Sequence, residues 1–168
     1  MLTQEKFSFN KYGKKLYTMR NSPSFLEHCT WRKIVSYKEF KRELEYDLTH
    51  DRVTQYMFIH PEFGCIGTHW LYAKESKIFI STFILPEHER KGFAIPMFQQ
   101  LFTCWKENEP SLEFMYTEVY VENIHSYSIQ KRLFEEIGKS SDGKKAIFRI
   151  SEKRRDELLL IFNRKKVS

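Results

Sequence analysis

The chain has 168 residues, of which 41% are hydrophobic and 30% are charged, and it contains only 6 Gly and 5 Pro. This length and composition are typical of one soluble globular domain and exclude a disordered or collagen-like chain. No apolar run approaches the roughly 18 residues that a membrane span needs, and residues 1–10 lack the apolar core of a signal peptide.

Charge is distributed unevenly along the sequence. Lys plus Arg number 28 and Asp plus Glu number 22, and the counted net charge is +5 over residues 1–46, −5 over residues 47–138 and +6 over residues 139–168. The basic ends indicate either solvated surfaces with a basic tail at Arg164-Lys165-Lys166, or attraction to a polyanion such as RNA or a phosphate-rich cofactor. Charge alone does not decide between these interpretations.

The cysteines and histidines point away from disulfide and metal chemistry. Cys29, Cys65 and Cys104 are far apart and form no CxxC pair, which favours free thiols in a reducing cytoplasm. The six histidines have no metal-ligand spacing, so we predict no metal. His69 lies mid-strand, either as a buried structural residue or as a residue of an acceptor site.

The predicted elements of the first half begin with a short strand at 15–20. A helix starts at Asn21-Ser22-Pro23, with the proline in its first turn. Ser36-Tyr37-Lys38-Glu39 has the spacing of a capping box and opens a second helix, with Phe40 and Leu44 on one face. An antiparallel meander follows, with strands at 53–60, 65–72 and 77–85 joined by turns at 61–64 and 75–76.

The second half continues the alternation of helices and strands. The predicted elements are a helix at 92–106, a strand at 114–121, a helix at 126–137 stopped by Gly138, a hairpin turn at Ser141-Asp142-Gly143, a strand at 146–150 and a helix at 152–163. The pattern predicts an α/β (α+β) fold with a mixed, mostly antiparallel sheet flanked by helices. We expect one domain over 1–168, with a core at 14–150 and a basic C-terminal helical segment at 151–168.

Two stretches combine residues with chemical potential. Gly92-x-Ala94 follows a short basic loop and begins a helix, where free N–H groups and the helix dipole favour an anion such as a pyrophosphate; tight helix packing is the alternative. In Thr117-Glu118-Val119-Tyr120-Val121-Glu122-Asn123, strand alternation places Glu118, Tyr120 and Glu122 on one face. A carboxylate and a phenol there support proton transfer, and a solvated strand face is the alternative.

Taken in this order and spacing, the two stretches resemble the GNAT N-acetyltransferase superfamily. Its first motif, [Q/R]-x-x-G-x-[G/A] after a V-L-P-E-like strand end, is similar to Ile84-Leu85-Pro86-Glu87 through Gly92-Phe93-Ala94. Its second motif is similar to Glu118-Val119-(x3)-Asn123-x-x-Ser126 followed by a helix. The start at Arg20-Asn21-Ser22-Pro23, with the Ser36 helix, resembles the branch of ribosomal-protein and amino-sugar acetyltransferases.

The resemblance implies a GNAT fold and acetyl-CoA as co-substrate. The backbone of the first motif would bind the pyrophosphate, and the strand end would pair with the pantetheine arm in a V-shaped opening beside the Glu118 strand. Asn123 and Ser126 would line the far side of the cofactor. The residues implied in cofactor binding are Phe83, Ile84, Leu85, Glu89, Arg90, Lys91, Gly92, Phe93, Ala94, Asn123 and Ser126.

The resemblance also implies direct attack of a neutral amine on the thioester. Because an amine is mostly protonated at pH 7, a base must take its proton, and Glu118 occupies the family's position for one. A backbone N–H near Leu85 would hold the oxyanion. A tyrosine on the following helix often protonates the thiolate.

Three positions depart from the family pattern. Glu89 stands where Arg or Gln is usual and places a negative charge near the phosphates, with Arg90 and Lys91 to offset it. The helix after Asn123 is predicted to be one turn longer than usual. Phe134 then falls at the position of the usual tyrosine, so Tyr127 or Tyr120 would replace it, or the thiolate would leave without a dedicated acid.

We therefore expect a cytoplasmic enzyme that transfers an acetyl group to a primary amine of a small molecule, an amino sugar or a protein N-terminus. The acidic middle section favours a cationic acceptor. Alternatives are acetylation of aminoacyl-tRNA, which the basic ends fit, and a non-catalytic acyl-CoA-binding or regulatory module. The expected state is a monomer or homodimer without a membrane partner.

Overall fold

The computed structural model describes residues 2–29, 33–49, 53–74 and 76–164. Its contacts divide the chain into two compact units. The first unit comprises Met1–Ala73 and Ser81–Phe93, and the second comprises Lys74–Ile80 and Ala94–Ser168. The predictions for His50, for Glu75 in the 75–76 turn and for the tail at Lys165-Lys166 lie outside the described residues.

The first unit combines a helical layer with antiparallel strands. Strand β2 pairs with β1 on one side and with β3 on the other, both antiparallel. The helices bury Leu16, Phe40 and Leu44 together with Met57 and Cys65 from the strands. The elements are β1 (Thr3–Lys6), α1 (Phe9–Arg20), α2 (Pro23–His28), α3 (Tyr37–Thr49), β2 (Val53–His60) and β3 (Gly64–Lys74).

Local capping signals define the starts of α2 and α3. The Ser22 side chain accepts a hydrogen bond from the Phe25 N–H, and Pro23 occupies the first turn of α2. At α3, the Glu39 N–H donates to Ser36 Oγ at 3.2 Å, and the Ser36 N–H donates to Glu39 Oε2 at 2.9 Å. These bonds satisfy N–H groups that a helix start leaves free, so both predicted helix starts are confirmed.

The second unit packs helices on one face of its strands. Strands β4 and β5 are parallel at the pair Phe79 and Tyr116, whereas β5–β7 and β6–β7 are antiparallel. Strand β4 begins in this unit and ends in the first. The elements are β4 (Lys77–Ile84), α4 (Ala94–Asn108), β5 (Phe114–Tyr120), α5 (Ile124–Leu133), β6 (Glu135–Lys139), β7 (Lys145–Ser151) and α6 (Glu152–Arg164), with a 3-10 turn at Pro86–His88.

Of the strand pairings given above, β4–β5 is parallel and the others are antiparallel. This confirms the predicted mixed, mostly antiparallel α/β architecture. The helix predicted at 92–106 is confirmed as α4, which buries Met97, Leu101 and Trp105 on one face. Phe93 lies outside that helix, which begins at Ala94. No helix within the described residues is long and apolar enough to cross a membrane.

Two predicted elements are wrong. Residues 15–20 belong to α1, because Tyr12, Leu16 and Met19 bury one helical face. The helix predicted to run to Ile137 ends at Leu133, where Phe134 adopts an extended conformation and is buried. Residues Glu135–Lys139 then pair with β7, and Ile137 is 43% exposed, so its helical spacing with Leu133 was coincidental. Strand β1 had no predicted counterpart.

Candidate functional site

The loop between β4 and α4 offers a run of unused backbone donors. Within the described chain, no hydrogen bond is donated by the backbone N–H groups of Arg90, Lys91, Gly92, Phe93 and Ala94. Helix α4 follows at once, is 15 residues long and has no acidic residue in its first turn. Free N–H groups at the positive end of a helix dipole form a favourable environment for an anion.

Backbone conformation in this loop depends on two residues with positive φ. Arg90 has a φ of 59° and Gly92 has a φ of 82°. A Cβ added at Gly92 would meet nothing within 4 Å, so glycine is required there by backbone conformation and not by crowding. Arg90 and Lys91 are exposed and Glu89 is half-buried, so both cations and the carboxylate lie in the same short loop.

An aromatic cluster in the first unit supports this loop from one side. The ring of His88 lies 5.8 Å from that of Phe93 and 6.1 Å from that of Phe63, centroid to centroid. His60 stacks on Phe63 at 4.7 Å. Burial lowers the pKa of His88, and Lys91 and Lys15 add to the lowering while Glu87 opposes it. A neutral His88 therefore packs as an aromatic residue under the loop.

The strand end before the loop packs into the aromatic core of the first unit. Phe83 lies 5.0 Å from the Phe25 ring and 5.5 Å from the Trp70 ring. Ile84 ends β4. The Leu85 N–H donates to the Ile66 carbonyl at 2.9 Å. Because the Leu85 N–H already donates this hydrogen bond, it is not available to an oxyanion. The oxyanion donor predicted near Leu85 would therefore be a neighbouring amide.

Glu118, the predicted base, lies in the middle of β5 with two lysines around its carboxylate. Its Oε1 is 2.9 Å from Lys74 Nζ, and its Oε2 is 3.5 Å from Lys145 Nζ. Only 13% of the Glu118 side chain is exposed. Two ammonium groups at these distances compete for the lone pairs with which the carboxylate would accept a proton. Glu118 is therefore an ion-paired carboxylate and not a free base.

The two tyrosines proposed as acids lie on different faces of the second unit. Tyr120 follows Glu118 by two residues on β5, and Lys145 Nζ lies 5.0 Å above its ring. Tyr127 packs edge-on against Phe148, whose register partner is Thr117, the residue before Glu118. Because side chains alternate across a strand, Tyr120 shares the face of Glu118 and Tyr127 does not.

Tyr127 is also held by a carboxylate. Its hydroxyl donates to Glu136 Oε2 at 2.7 Å. This hydrogen bond raises the pKa of Tyr127, with smaller contributions from burial and from the charge of Glu136. The phenol therefore stays protonated, but its proton is directed at Glu136. Phe134 lies in the apolar core against Phe98 and Phe102 and has no polar role.

Asn123 and Ser126 form the N-terminal cap of α5. The Asn123 side chain accepts a hydrogen bond from the Ser126 N–H at 3.1 Å. This arrangement satisfies one free N–H of the helix start. Asn123 therefore caps α5, and a contact of either residue with a cofactor stays a prediction.

Lys74 and Lys145 are the site residues that sequence reasoning missed. They stand 44 and 27 positions from Glu118 in the chain. The antiparallel register pairs Tyr120 with Lys145, which brings that lysine beside Glu118 on the same face. No local spacing signals these contacts, because they follow from strand pairing.

His69 is fully buried in β3 against the rings of Tyr56 and Phe58. Burial lowers its pKa to about 3. Its ring is therefore neutral near pH 7. The described ranges hold no group of three or more His, Cys, Asp or Glu side chains that could hold a metal ion.

Comparison with solved structures identifies the fold. The spermidine N-acetyltransferase of Vibrio cholerae, crystallised with CoA and spermine, superposes with a TM-score of 0.76 at 16% identity, over 92% of this chain and 97% of its own. The aminoglycoside acetyltransferase AAC(6')-Ib with CoA gives 0.77 at 15% identity, over 94% and 98%. An uncharacterised protein of Bacillus halodurans gives 0.75 at 15%, over 95% and 90%.

The chain has the fold of the GNAT acetyltransferases, as its motifs had predicted. No protein-family model and no curated protein matches the sequence. Sequence identities of 15–16% show that these proteins share a fold with this chain and nothing further. The activity and the acceptor therefore have to be argued from this chain's own residues.

Proposed function

We propose that the protein is an acetyl-CoA-dependent N-acetyltransferase that acts on a primary amine of a small molecule. The observation that carries the proposal is the 90–94 loop, whose five free N–H groups precede α4 in a fold whose neighbours were crystallised with CoA. These amides would bind the pyrophosphate, with Arg90 and Lys91 adding positive charge. Small-molecule amines are the acceptors in the names of those neighbours.

The proposed reaction is a direct transfer. The amine nitrogen attacks the thioester carbonyl, a C–N bond forms, and the C–S bond breaks with departure of the CoA thiolate. The amine proton passes to Glu118, directly or through a water. Tyr120, on the face of Glu118, is the better-placed candidate to return a proton to the thiolate, and Tyr127 would have to leave Glu136 to do so.

Ligand-induced stabilisation tests the cofactor site. We expect acetyl-CoA at about 100 times its Kd to stabilise the native protein by about 2.7 kcal/mol. Gly92→Glu should abolish this shift, because a side chain strains the positive φ and places a carboxylate at the phosphate position. Thermal unfolding with and without acetyl-CoA measures the effect.

Gly143→Glu is a matched control. Gly143 has a φ of 70°, and a Cβ there would also meet nothing within 4 Å, but it lies in the β6–β7 turn. Both variants should therefore lose similar intrinsic stability, and only Gly143→Glu should keep the ligand shift. Equal shifts in the two variants, or none in the wild type, would contradict the proposed cofactor site.

A non-catalytic CoA-binding module is the second candidate. It is favoured by the two lysines that occupy the Glu118 carboxylate and by the engaged Leu85 amide. Release of free CoA in the presence of an amine distinguishes the two: an enzyme releases CoA in proportion to amine, whereas a binding module shows the thermal shift without turnover.

A further inference from the structure

The face of β5 opposite α5 carries aromatic rings and cations. On β5, Phe114, Tyr116, Glu118 and Tyr120 are half-buried and alternate with buried residues. Tyr127 of α5 packs on the opposite face, against Phe148. The half-buried residues therefore line the face that α5 leaves free, and we call this the β5 face.

The three rings of the β5 face, and the neighbouring Phe79 ring of β4, each have a cation over them. The distances from cation to ring centroid lie between 4.8 and 5.4 Å, which is within the range of a cation–π interaction. The pairs are Lys74 with Phe79, Lys77 with Tyr116, Lys145 with Tyr120, and Arg149 with Phe114. The rings therefore favour positive charge at these positions.

Lysines flank the carboxylate of Glu118 on the β5 face. Further along this face, Arg149 is paired with Glu135 at 2.7 Å and also lies in the field of Glu113. Lys74 and Lys145 both place an ammonium group on the Glu118 carboxylate. A second ammonium group arriving there, as part of a polyamine, would be repelled by both lysines.

We propose that the acceptor is an amine that also carries an anionic oxygen group, a carboxylate or a phosphate, which binds Lys74 and Lys145. This inference rests on the proposed function, in which the amine is deprotonated at Glu118. The anionic group draws the two ammonium groups from Glu118 and frees that carboxylate to accept the amine proton, while the C–N bond forms and the thiolate leaves. The binding energy of the acidic group thus activates the base.

The proposal reverses the expectation from sequence that the acidic middle section suits a cationic acceptor. Glu118 is a carboxylate of this middle section that lies at the site, and lysines from β3 and β7 contact it. The acceptor therefore differs in charge class from spermidine and the aminoglycosides, on which the neighbours with this fold are named to act.

Matched amine pairs provide the test. We would measure CoA release with β-alanine against β-alaninamide, with phosphoethanolamine against ethanolamine, and with spermidine. We expect the anionic member of at least one pair to have a kcat/KM about tenfold above its neutral partner, with spermidine lowest. The first pair reports a carboxylate and the second a phosphate. Equal values within both pairs, or a preference for spermidine, would overturn the proposal.

Lysine variants distinguish a loss of preference for the anionic amine from a general loss of activity. Lys74→Gln and Lys145→Gln should each reduce the anionic preference at least threefold, mainly through KM. Lys153→Gln, an exposed lysine of α6, should leave it unchanged. If preference survives in both of the first two variants, the anionic group does not bind these lysines and the assignment fails.

A binding measurement tests the acceptor class without requiring catalytic turnover. NMR titration of the CoA-loaded protein with N-acetyl-β-alanine and with N-acetyl-β-alaninamide should show tighter binding of the anionic product. Failure of CoA to bind at all would overturn the proposed function itself. Binding of CoA with no preference between the two products would overturn only the acceptor class.

Discussion

His69 shows how burial alone can control a titratable residue. Its ring lies between aromatic side chains in the first unit, and neither ring nitrogen finds a hydrogen-bond partner within the described residues. The cost of charging the ring in this environment lowers its pKa to about 3, from an ordinary value of 6.5. His69 is therefore a structural residue, and nothing here assigns it to an acceptor site.

The depressed pKa of His69 predicts a loss of stability in acid. Between pH 6.5 and pH 3 the unfolded chain binds a proton at this residue and the folded chain does not, so stability is full above pH 6.5 and falls with pH. Between pH 7.5 and pH 5.0 this residue should remove about 2 kcal/mol from the free energy of unfolding. Urea unfolding at several pH values measures the loss.

His69→Gln provides the comparison, because glutamine does not titrate. Its free energy of unfolding should fall less steeply over the same pH range, whatever its absolute stability. Identical slopes for the wild type and the variant would mean that His69 is not the group responsible.

At the scale of elements, helix starts in this chain follow from local side-chain chemistry. Ser36 and Glu39 exchange hydrogen bonds with each other's backbone N–H groups, and the Ser36 hydroxyl also donates to Glu39 Oε2 at 2.8 Å. The backbone bond from Ser36, followed by its side-chain bond, lowers the pKa of Glu39. Because all the partners lie within three residues, this start needs no tertiary support.

Ser36→Ala should destabilise the protein by about 1 kcal/mol through loss of the α3 cap. Ser36 is exposed, so the substitution leaves no cavity. Chemical denaturation measures the change in midpoint, and Ser36→Thr, which keeps the Oγ acceptor, should remain near the wild type. Equal destabilisation by Ala and Thr would show that the cap bond is not the cause.

At the scale of the whole molecule, the three cysteines are free thiols. Cys65 is buried and Cys104 half-buried, and burial raises the pKa of both thiols. Cys29 is half-buried beyond the end of α2. Cys65 is therefore the least accessible thiol, and the raised pKa of Cys65 and of Cys104 leaves each with less reactive thiolate.

Thiol labelling of the native protein at pH 8 should proceed in two phases. We expect one fast equivalent at Cys29 and slow reaction of Cys65 and Cys104, with all three fast in denaturant. Cys29→Ser should remove the fast phase, as followed with a chromogenic disulfide reagent. A fast phase that survives this substitution would locate the reactive thiol elsewhere.

Sequence alone was sufficient where the signal is local. The caps at Ser22 and Ser36, the periodic apolar residues of α4 and the turn before β7 each depend on residues a few positions apart, and all were recognised. The Gly92-x-Ala94 helix start was recognised for the same reason. The helix at residues 126–137 was misjudged because Leu133 and Ile137 have helical spacing, while pairing of β6 with β7 determines the conformation after Leu133.

Only the tertiary structure determines the electrostatic environment of Glu118. The sequence identified this carboxylate and its neighbour Tyr120 from strand alternation, but not the lysines that surround it. Lys74 reaches Glu118 from the end of β3, and Lys145 reaches it through the β5–β7 register. Charges act through space and not along the chain, so the acceptor class became arguable only when the strands were paired.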